Sequence, residues 1–509
     1  MTMLGGLVGL PLLGAVAMLL VPRDAARASR RLALAVLGLT ALFAGMVFVH
    51  YPQAAIEDHG YRMVTRVPGL GAPALGIECR FGVDGLNVGL LLMGALVAWA
   101  AAACARDVHE RSKEFYFLLL LMTGGILGAF ASLDLFFFYF FHELALVPTF
   151  IMIGVWGRGE DRSTAAYQMT LYLSAGALLV LIGLVGVYLQ VPAQLRTFDI
   201  PTLTQYFREN PLPADAQAWL YPLLLFGFGI LVSLWPFHAW APTGYASAPA
   251  ATAMLHAGVL KKFGLYGLMR VAQPWMPQGA QDWMPMLAGL ALGNLLYGGW
   301  VAMREQNLGR LLGYASVAHM GFVFLGLAAW NAIGVTGAVV VMVAHGFLAA
   351  VSFALVGHLY GQAGTLSMDR WSGLGRVMPF WGAIFTMAAL AGCGLPGFVN
   401  FVGEVTVLFG LWQVPELRWV TVGALFGALV VGAVYMLRAV RQVVHGAPSQ
   451  TATRGVDLLG WQQRWPYALL VAILLFLGWF PQVLVSRVEP AVAGLIPREL
   501  TAVVTLRVE

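Results

Sequence analysis

Apolar stretches of about twenty residues, the length that crosses the hydrocarbon core of a bilayer as one helix, recur along this 509-residue chain almost without interruption. They fall near 3–21, 32–51, 85–104, 115–132, 134–156, 164–190, 218–235, 250–270, 284–303, 311–330, 333–360, 378–413, 419–440 and 465–485. A bilayer interior offers no water to the backbone, so each run must satisfy its own N–H and C=O groups by coiling into a helix. Charged residues make up 10% of the chain and hydrophobic ones 60%, too little polar surface for a set of water-soluble domains. The expected fold is an all-α polytopic membrane protein with about fourteen transmembrane helices.

The loops leave little room for other chemistry. The longest, 52–83, 191–217 and 441–464, are too short for a soluble cofactor domain. Cys79, Cys104 and Cys393 stand far apart, without paired zinc spacing and with too few thiolates for an all-cysteine iron–sulfur cluster. Gly392–Gly397 has the spacing of a dinucleotide fingerprint, but it lies in an apolar span with Pro396 and no strand before it. No cofactor, metal ion or nucleic acid is expected on this chain, whose net charge of +5 is scattered over short loops. The first span has no basic segment ahead of it and Arg23, Arg27, Arg30 and Arg31 behind it, the order of a retained helix and not of a cleaved leader. Seventeen Lys and Arg fall in loops on the side of these arginines and ten on the other, and Lys261 and Lys262 inside a span complete the twenty-nine. With the richer side inside, both termini are expected outside.

Two spans are interrupted. LWPFHAWAPTGYASAPA carries Pro236, Pro242 and Pro249, and LAGCGLPGFVNFVGE carries Gly392, Gly394, Pro396 and Gly397. Broken helices at corresponding places in two halves point to the inverted repeats of transporters, where freed backbone lines a hydrated path. Charges inside the spans each cost about 2.5–3.5 kcal/mol at the bilayer centre and so demand a reason. Glu143 sits mid-span among phenylalanines in FFFYFFHELALVP, Lys261 and Lys262 sit in HAGVLKKFGLYG, and Glu404 follows the second break. His238 adjoins the first break, and His256, His319 and His345 lie within later spans. These eight residues are the candidate ion path. A single histidine is as readily a packed side chain bonded to a carbonyl, whereas an intramembrane carboxylate or ammonium needs a partner or water. Asp84 and Asp134 lie near span ends, where capping explains them. His142 is expected to point about 100° around the helix from Glu143.

The strings FFHELALVP, PFHAWAP, SAPAATAMLHAGVLKKFGLYGLMR, YASVAHMGFVFLG, MVAHGFLAA and GLPGFVNFVGE follow one another in this order, with GVDGLN ahead of them. The set resembles the antiporter-like membrane subunits of respiratory complex I, above all the subunit M branch of the bacterial NADH-quinone oxidoreductase, equivalent to mitochondrial chain 4. The resemblance implies two inverted five-helix repeats with helices seven and twelve broken. Helices one to three would occupy 1–110, the repeats 111–275 and 276–445, and a last helix and tail 446–509. It implies proton translocation in a bacterial inner membrane, driven by quinone reduction in partner subunits that carry NADH, FMN, iron–sulfur clusters and quinone. It matches the family's helix-five glutamate to Glu143, its helix-eight lysine to Lys262, its helix-twelve glutamate to Glu404, and histidines of its central axis to His319 and His345. The family's helix-seven lysine falls at Leu231, and its helix-six lysine position is Gln168. No charged residue occurs between Asp215 and Lys261, so the first half of the path is expected to lack its cation. Other readings are a subunit of a multi-chain sodium/proton antiporter, an accessory chain of another ion-coupled complex such as a membrane hydrogenase or an inorganic-carbon uptake system, and a purely structural chain. Leu231 favours these, whereas the ELALVP and GLPGFVNFVGE strings favour the first.

Overall fold

The structure is a computed structural model that describes residues 2–106, 108 and 110–496; Asp107, His109 and the tail with Arg498 and Arg507 lie outside the described residues. Helices α1 (Met3–Met18), α2 (Ala26–His50), α3 (Val88–Cys104), α4 (Ser112–Ala131), α5 (Leu135–Trp156) and α6 (Arg162–Leu189) come first. Helix α7 runs Ala214–Val232, stops, and resumes as Trp240–Ser247. Helix α8 occupies 250–275 with π-helical turns at His256–Leu260 and Leu268–Ala272. Then come α9 (Pro277–Ala302), α10 (Leu308–Ala329), α11 (Ala332–Ala363) and α12, which runs Pro379–Gly392 and resumes as Val399–Trp412. Helix α13 occupies 418–443 around a π-turn at Gly427–Gly432, and α14 runs Trp461–Trp479 before bending by 69° into Gln482–Leu495. Among the described residues nine helices are long and apolar enough to cross a membrane alone, and the others are shorter apolar or interrupted ones. The chain is a multi-pass membrane protein.

The breaks follow from backbone chemistry. Ser233 turns left-handed (φ 69°) and Pro236 has no N–H, so the α7 ladder cannot continue. In α12, Gly394 (φ 65°) and Gly397 (φ 104°) hold conformations that suit glycine, with Pro396 between them. Helix α11, capped by the Asn331 side chain on Gly334 N at 2.8 Å, is buried throughout its apolar stretch. Helices α3, α8, α10, α12 and α14 all pack on it, so side chains on α11 meet partners from several helices.

The loop after α2 folds as an antiparallel sheet, β1 (Ile56–Asp58), β2 (Tyr61–Ala72) and β3 (Ile77–Val83), in that order. Ile77, Cys79, Phe81 and Val83 are buried, the period-two pattern of a strand with one face against a core. Glu78 N donates to Asp134 Oδ2 at 2.9 Å, and Arg80 pairs with Asp58 and Asp199. These contacts tie the sheet to the start of α5 and to the amphipathic helix Ile200–Glu209, and they mark one end of the bundle as the sheet side.

Candidate ion path

Helix α8 supplies the cations. A π-turn takes in one extra residue, so the face periodicity before and after it is offset, a device common at functional positions. The turn at His256–Leu260 ends where Lys261 and Lys262 begin. Both lysines are buried. Lys262 Nζ donates to Ala257 O at 2.6 Å and meets Nδ1 of His345 on α11 at 2.8 Å. Lys261 turns the other way, donating to Ser316 Oγ on α10 at 3.3 Å and lying 5.7 Å from the centre of the Tyr245 ring. The Tyr245 hydroxyl is 3.2 Å from His256 Nδ1.

From His345 the polar line continues to α12. The rings of His345 and His319 are 5.6 Å apart between centroids, and His319 Nε2 is 3.8 Å from Glu404 Oε1. His319 Nδ1 lies 2.7 Å from Ala315 O, and its Nε2 lies 3.2 Å from the carbonyl of Gly392, the last residue before the α12 break. A neutral imidazole has one N–H and satisfies one of these carbonyls; only a ring carrying a second proton donates to both. The break therefore does chemical work, because it turns a carbonyl toward the ring. A cavity of about 10 Å³ bounded by His319, Gly392, Glu404 and Tyr435 has room for about one water. Lys262, His345, His319 and Glu404 thus form one buried line across four helices.

Glu143 stands apart, and its surroundings differ from those expected. Phe136, Phe140, Glu143 and Val147 share the outward face of α5, with exposures of 45%, 44%, 33% for the Glu143 side chain and 56%. The carboxylate sits at the rim of the bundle and is not enclosed by phenylalanines, because Phe137, Phe138 and Phe141 turn inward while Phe136 and Phe140 turn out. His142 is not turned away either. Its Nδ1 is 3.2 Å from Glu143 Oε1, and its ring stacks on Phe263 of α8 at 4.1 Å between centroids. The two Cα positions diverge by about 100°, but the glutamate is long enough to fold back over its neighbour. Behind this pair, Phe138, Phe228 and Phe263 cluster, with Phe138 and Phe263 stacked at 4.3 Å. Leu231 is buried on the same helix as Phe228. The ground between α5 and α8 is aromatic where the ground between α8 and α12 is polar. Gln168 accepts from Thr243 Oγ1 at 3.1 Å, and His238 Nδ1 lies 3.2 Å from Pro236 O, beside the rings of Tyr297 and Tyr314.

One buried pair escaped the sequence reading. Arg270 Nη2 donates to Asp84 Oδ2 at 2.7 Å and Arg270 Nε donates to the Tyr266 hydroxyl at 3.2 Å, with the guanidinium 5.1 Å from the ring centres of both Tyr61 and Tyr266. The pair lines a sheet-side cavity of about 560 Å³. The four-residue spacing of Lys262, Tyr266 and Arg270 was the available signal. Asp84 Oδ1 also accepts from Leu86 N at 3.0 Å and Asn87 N at 3.2 Å just ahead of α3, and Asp134 caps α5, accepting from Phe137 N at 3.1 Å, both in line with the capping expected near span ends. Among the described residues no group of three or more His, Cys, Asp or Glu could hold a metal ion.

Known proteins carry the same architecture. The profile of the family described as NADH:quinone oxidoreductase/Mrp antiporter, TM, matches residues 132–430. The chain is 36% identical over 441 residues to NAD(P)H-quinone oxidoreductase chain 4 2 of Thermosynechococcus vestitus, covering 86% of this chain and 81% of that one. It is 33% identical over 431 residues to NADH-quinone oxidoreductase subunit M of Rhodobacter capsulatus, covering 83% of each. The fold matches a chain of respiratory complex I from Thermus thermophilus with a TM-score of 0.84 at 30% identity, covering 97% of this chain and 100% of that chain. With more than half its length matched by the family profile, and with relatives this similar over most of both chains, the chain belongs to the NADH:quinone oxidoreductase/Mrp antiporter family of membrane subunits.

Proposed function

We propose that this chain is a proton-translocating membrane subunit of a complex I-type NADH-quinone oxidoreductase, coupling quinone reduction in partner subunits to proton transfer across the membrane. The observation that carries the reading is the buried line Lys262–His345–His319–Glu404. Titratable groups at this depth are tolerated only with partners or water, and in a low-dielectric interior a charge arriving at one of them acts strongly on the next. Lys261, His256 and His238 extend the set toward the α7 break, and Glu143 with His142 is a separate station at the rim. NADH, FMN, iron–sulfur clusters and quinone belong to partner subunits in this reading. The membrane is a bacterial inner membrane with both termini outside. Helices one to three (1–110) precede the repeats at 111–275 and 276–445, and 446–509 closes the chain.

Gentle solubilisation, identification of the co-purifying chains and reconstitution test this. Flavin- and iron–sulfur-containing partners together with NADH-driven proton uptake support it. A set of small antiporter chains with sodium–proton exchange that needs no NADH overturns it in favour of a multi-chain sodium/proton antiporter, the reading that Leu231 favours.

A further inference from the structure

Asn400 lies in the first turn after the α12 break, is fully buried, and has no hydrogen-bond partner for Nδ2 or Oδ1 among the described residues. An amide offers two donors and two acceptor lone pairs, and buried groups of this kind are met by ordered water where protein does not meet them.

Helix packing sets its place. A Cβ on Gly410 would meet the backbone of Gly334 at 2.4 Å, one on Gly337 the backbone of Val407 at 2.7 Å, and one on Gly403 the backbone of Val341 at 2.9 Å. Helices α11 and α12 therefore run antiparallel in close contact, with 410 against 334, 407 against 337 and 403 against 341. One turn further, the same register carries Asn400 to Ala344, the neighbour of His345. Along α12 Asn400 precedes Glu404 by four residues, one turn away on the same face. Asn400 is thus on the α11-facing side of α12, one turn from Glu404 and opposite the residue that adjoins His345. The break at 393–398 lies beside it, and interrupted helices admit water to freed backbone groups.

We propose that Asn400 is a positioning residue of the ion path: its amide holds a water molecule between α11 and α12 that links His345 to Glu404, alongside the route through His319. The proposal rests on the reading of this chain as a proton-translocating subunit. In the transfer, the water oxygen takes a proton from the His345 side as one of its own O–H bonds breaks and that proton passes to the Glu404 carboxylate. No net charge stays on the water, and the Asn400 amide keeps its own protons while orienting it.

The test uses the whole complex. A high-resolution map of the unmodified assembly is expected to show water within hydrogen-bond distance of Asn400 Nδ2 or Oδ1; an amide closed in by side chains with no water overturns the proposal. Asn400→Leu, similar in size but unable to hold water, is expected to slow NADH-driven proton uptake in proteoliposomes about tenfold, the rate equivalent of one hydrogen bond lost from the transfer step. Asn400→Ser, which leaves space and a hydroxyl, is expected to keep most of the rate. Full rate in Asn400→Leu, or a loss in Asn400→Ser as deep as in Asn400→Leu, overturns the proposal, and if Asn400→Leu fails to assemble the map decides. Glu404→Gln measured alongside separates the two claims. Undiminished uptake in Glu404→Gln would remove the path itself, whereas impaired uptake there with full rate in Asn400→Leu would remove only the part given to Asn400.

Discussion

Lys262 on α8 and His345 on α11 meet head to head, Nζ to Nδ1, at 2.8 Å. When Lys262 is the ammonium, which only donates, Nδ1 accepts and the neutral ring's proton sits on Nε2. The contact thus ties the tautomer of His345 to the charge on Lys262. Lys262→Ala and Glu404→Gln should leave assembly intact while lowering proton transfer about tenfold or more, as for loss of a group that takes part in proton transfer itself. Proton uptake per NADH oxidised in reconstituted complex is the measurement, and unchanged stoichiometry in both variants would refute the assignment.

The rim position of Glu143 and the aromatic cluster behind it make this carboxylate a lesser contributor than Glu404. Glu143→Gln is expected to keep proton translocation within about twofold of the unmodified rate. Leu231→Lys should make position 143 matter more, since a buried lysine needs a counter-ion. Comparing the two single variants with the Leu231→Lys/Glu143→Gln double variant checks this. Loss of coupling in Glu143→Gln alone would mean that the His142–Glu143 contact is already an essential station.

Gly394 supports Glu404 by what it lacks. A Cβ there would lie 2.5 Å from Glu404 Oε2, and its φ of 65° is strained for any L side chain, by roughly 1–2 kcal/mol. Gly397 shares the positive φ, but its Cβ would meet nothing nearer than Trp479 Nε1 at 3.9 Å. Gly394→Ala should therefore impair proton uptake far more than Gly397→Ala at matched complex content, and equal defects would show that backbone strain alone is responsible.

The helix breaks were legible because Pro236, Gly394, Pro396 and Gly397 declare their backbone demands in their own chemistry. Lys262 and Glu404 were legible because an ammonium or carboxylate in an apolar run needs a partner or water, whereas His319 and His345, each as readily packed histidines, were tied to them by the resemblance. Their partners were not. Ser316 Oγ, Ala257 O and Gly392 O carry no charge, and which atoms meet depends on rotamers and interhelical register. Glu143 was misplaced because neighbours in sequence were taken for neighbours in space; on α5 its outward companions are Phe136, Phe140 and Val147. The alternation of Ile77, Cys79, Phe81 and Val83 was readable as a strand but lay inside a loop judged only by length.

Asp84 and Arg270 should prove interdependent. Removing one member of a buried ion pair strands the other at a cost of about 3–5 kcal/mol, whereas removing both charges costs less. Arg270→Gln should lower the thermal stability or subunit content of the purified complex, and Asp84→Asn/Arg270→Gln should recover part of the loss. A double variant worse than either single one would contradict this.

Cys79 should be chemically silent in the folded protein. Burial pushes its thiol up to about 12, and the Asp134 carboxylate acts in the same direction. Since the thiolate is the reactive form, alkylation at pH 8 should leave Cys79 unmodified until the chain is denatured, as read by peptide mass spectrometry. Rapid labelling of the native complex would show that the sheet opens.

The π-turn ahead of Lys262 also bears on how such a chain can change by inheritance. It holds one residue more than an α-helix needs over the same rise, and that residue is slack. A deletion within His256–Leu260 can be absorbed as the turn closes to α, leaving Lys262, Tyr266 and Arg270 facing as before. A deletion within the α-helical stretch Lys262–Gly267 has no such reserve where it falls, and turns the side chains beyond it by about 100° up to the next π-turn. A codon lost within the first π-turn is absorbed where it falls, whereas one lost from Lys262–Gly267 rotates the side chains between there and Leu268, Tyr266 among them.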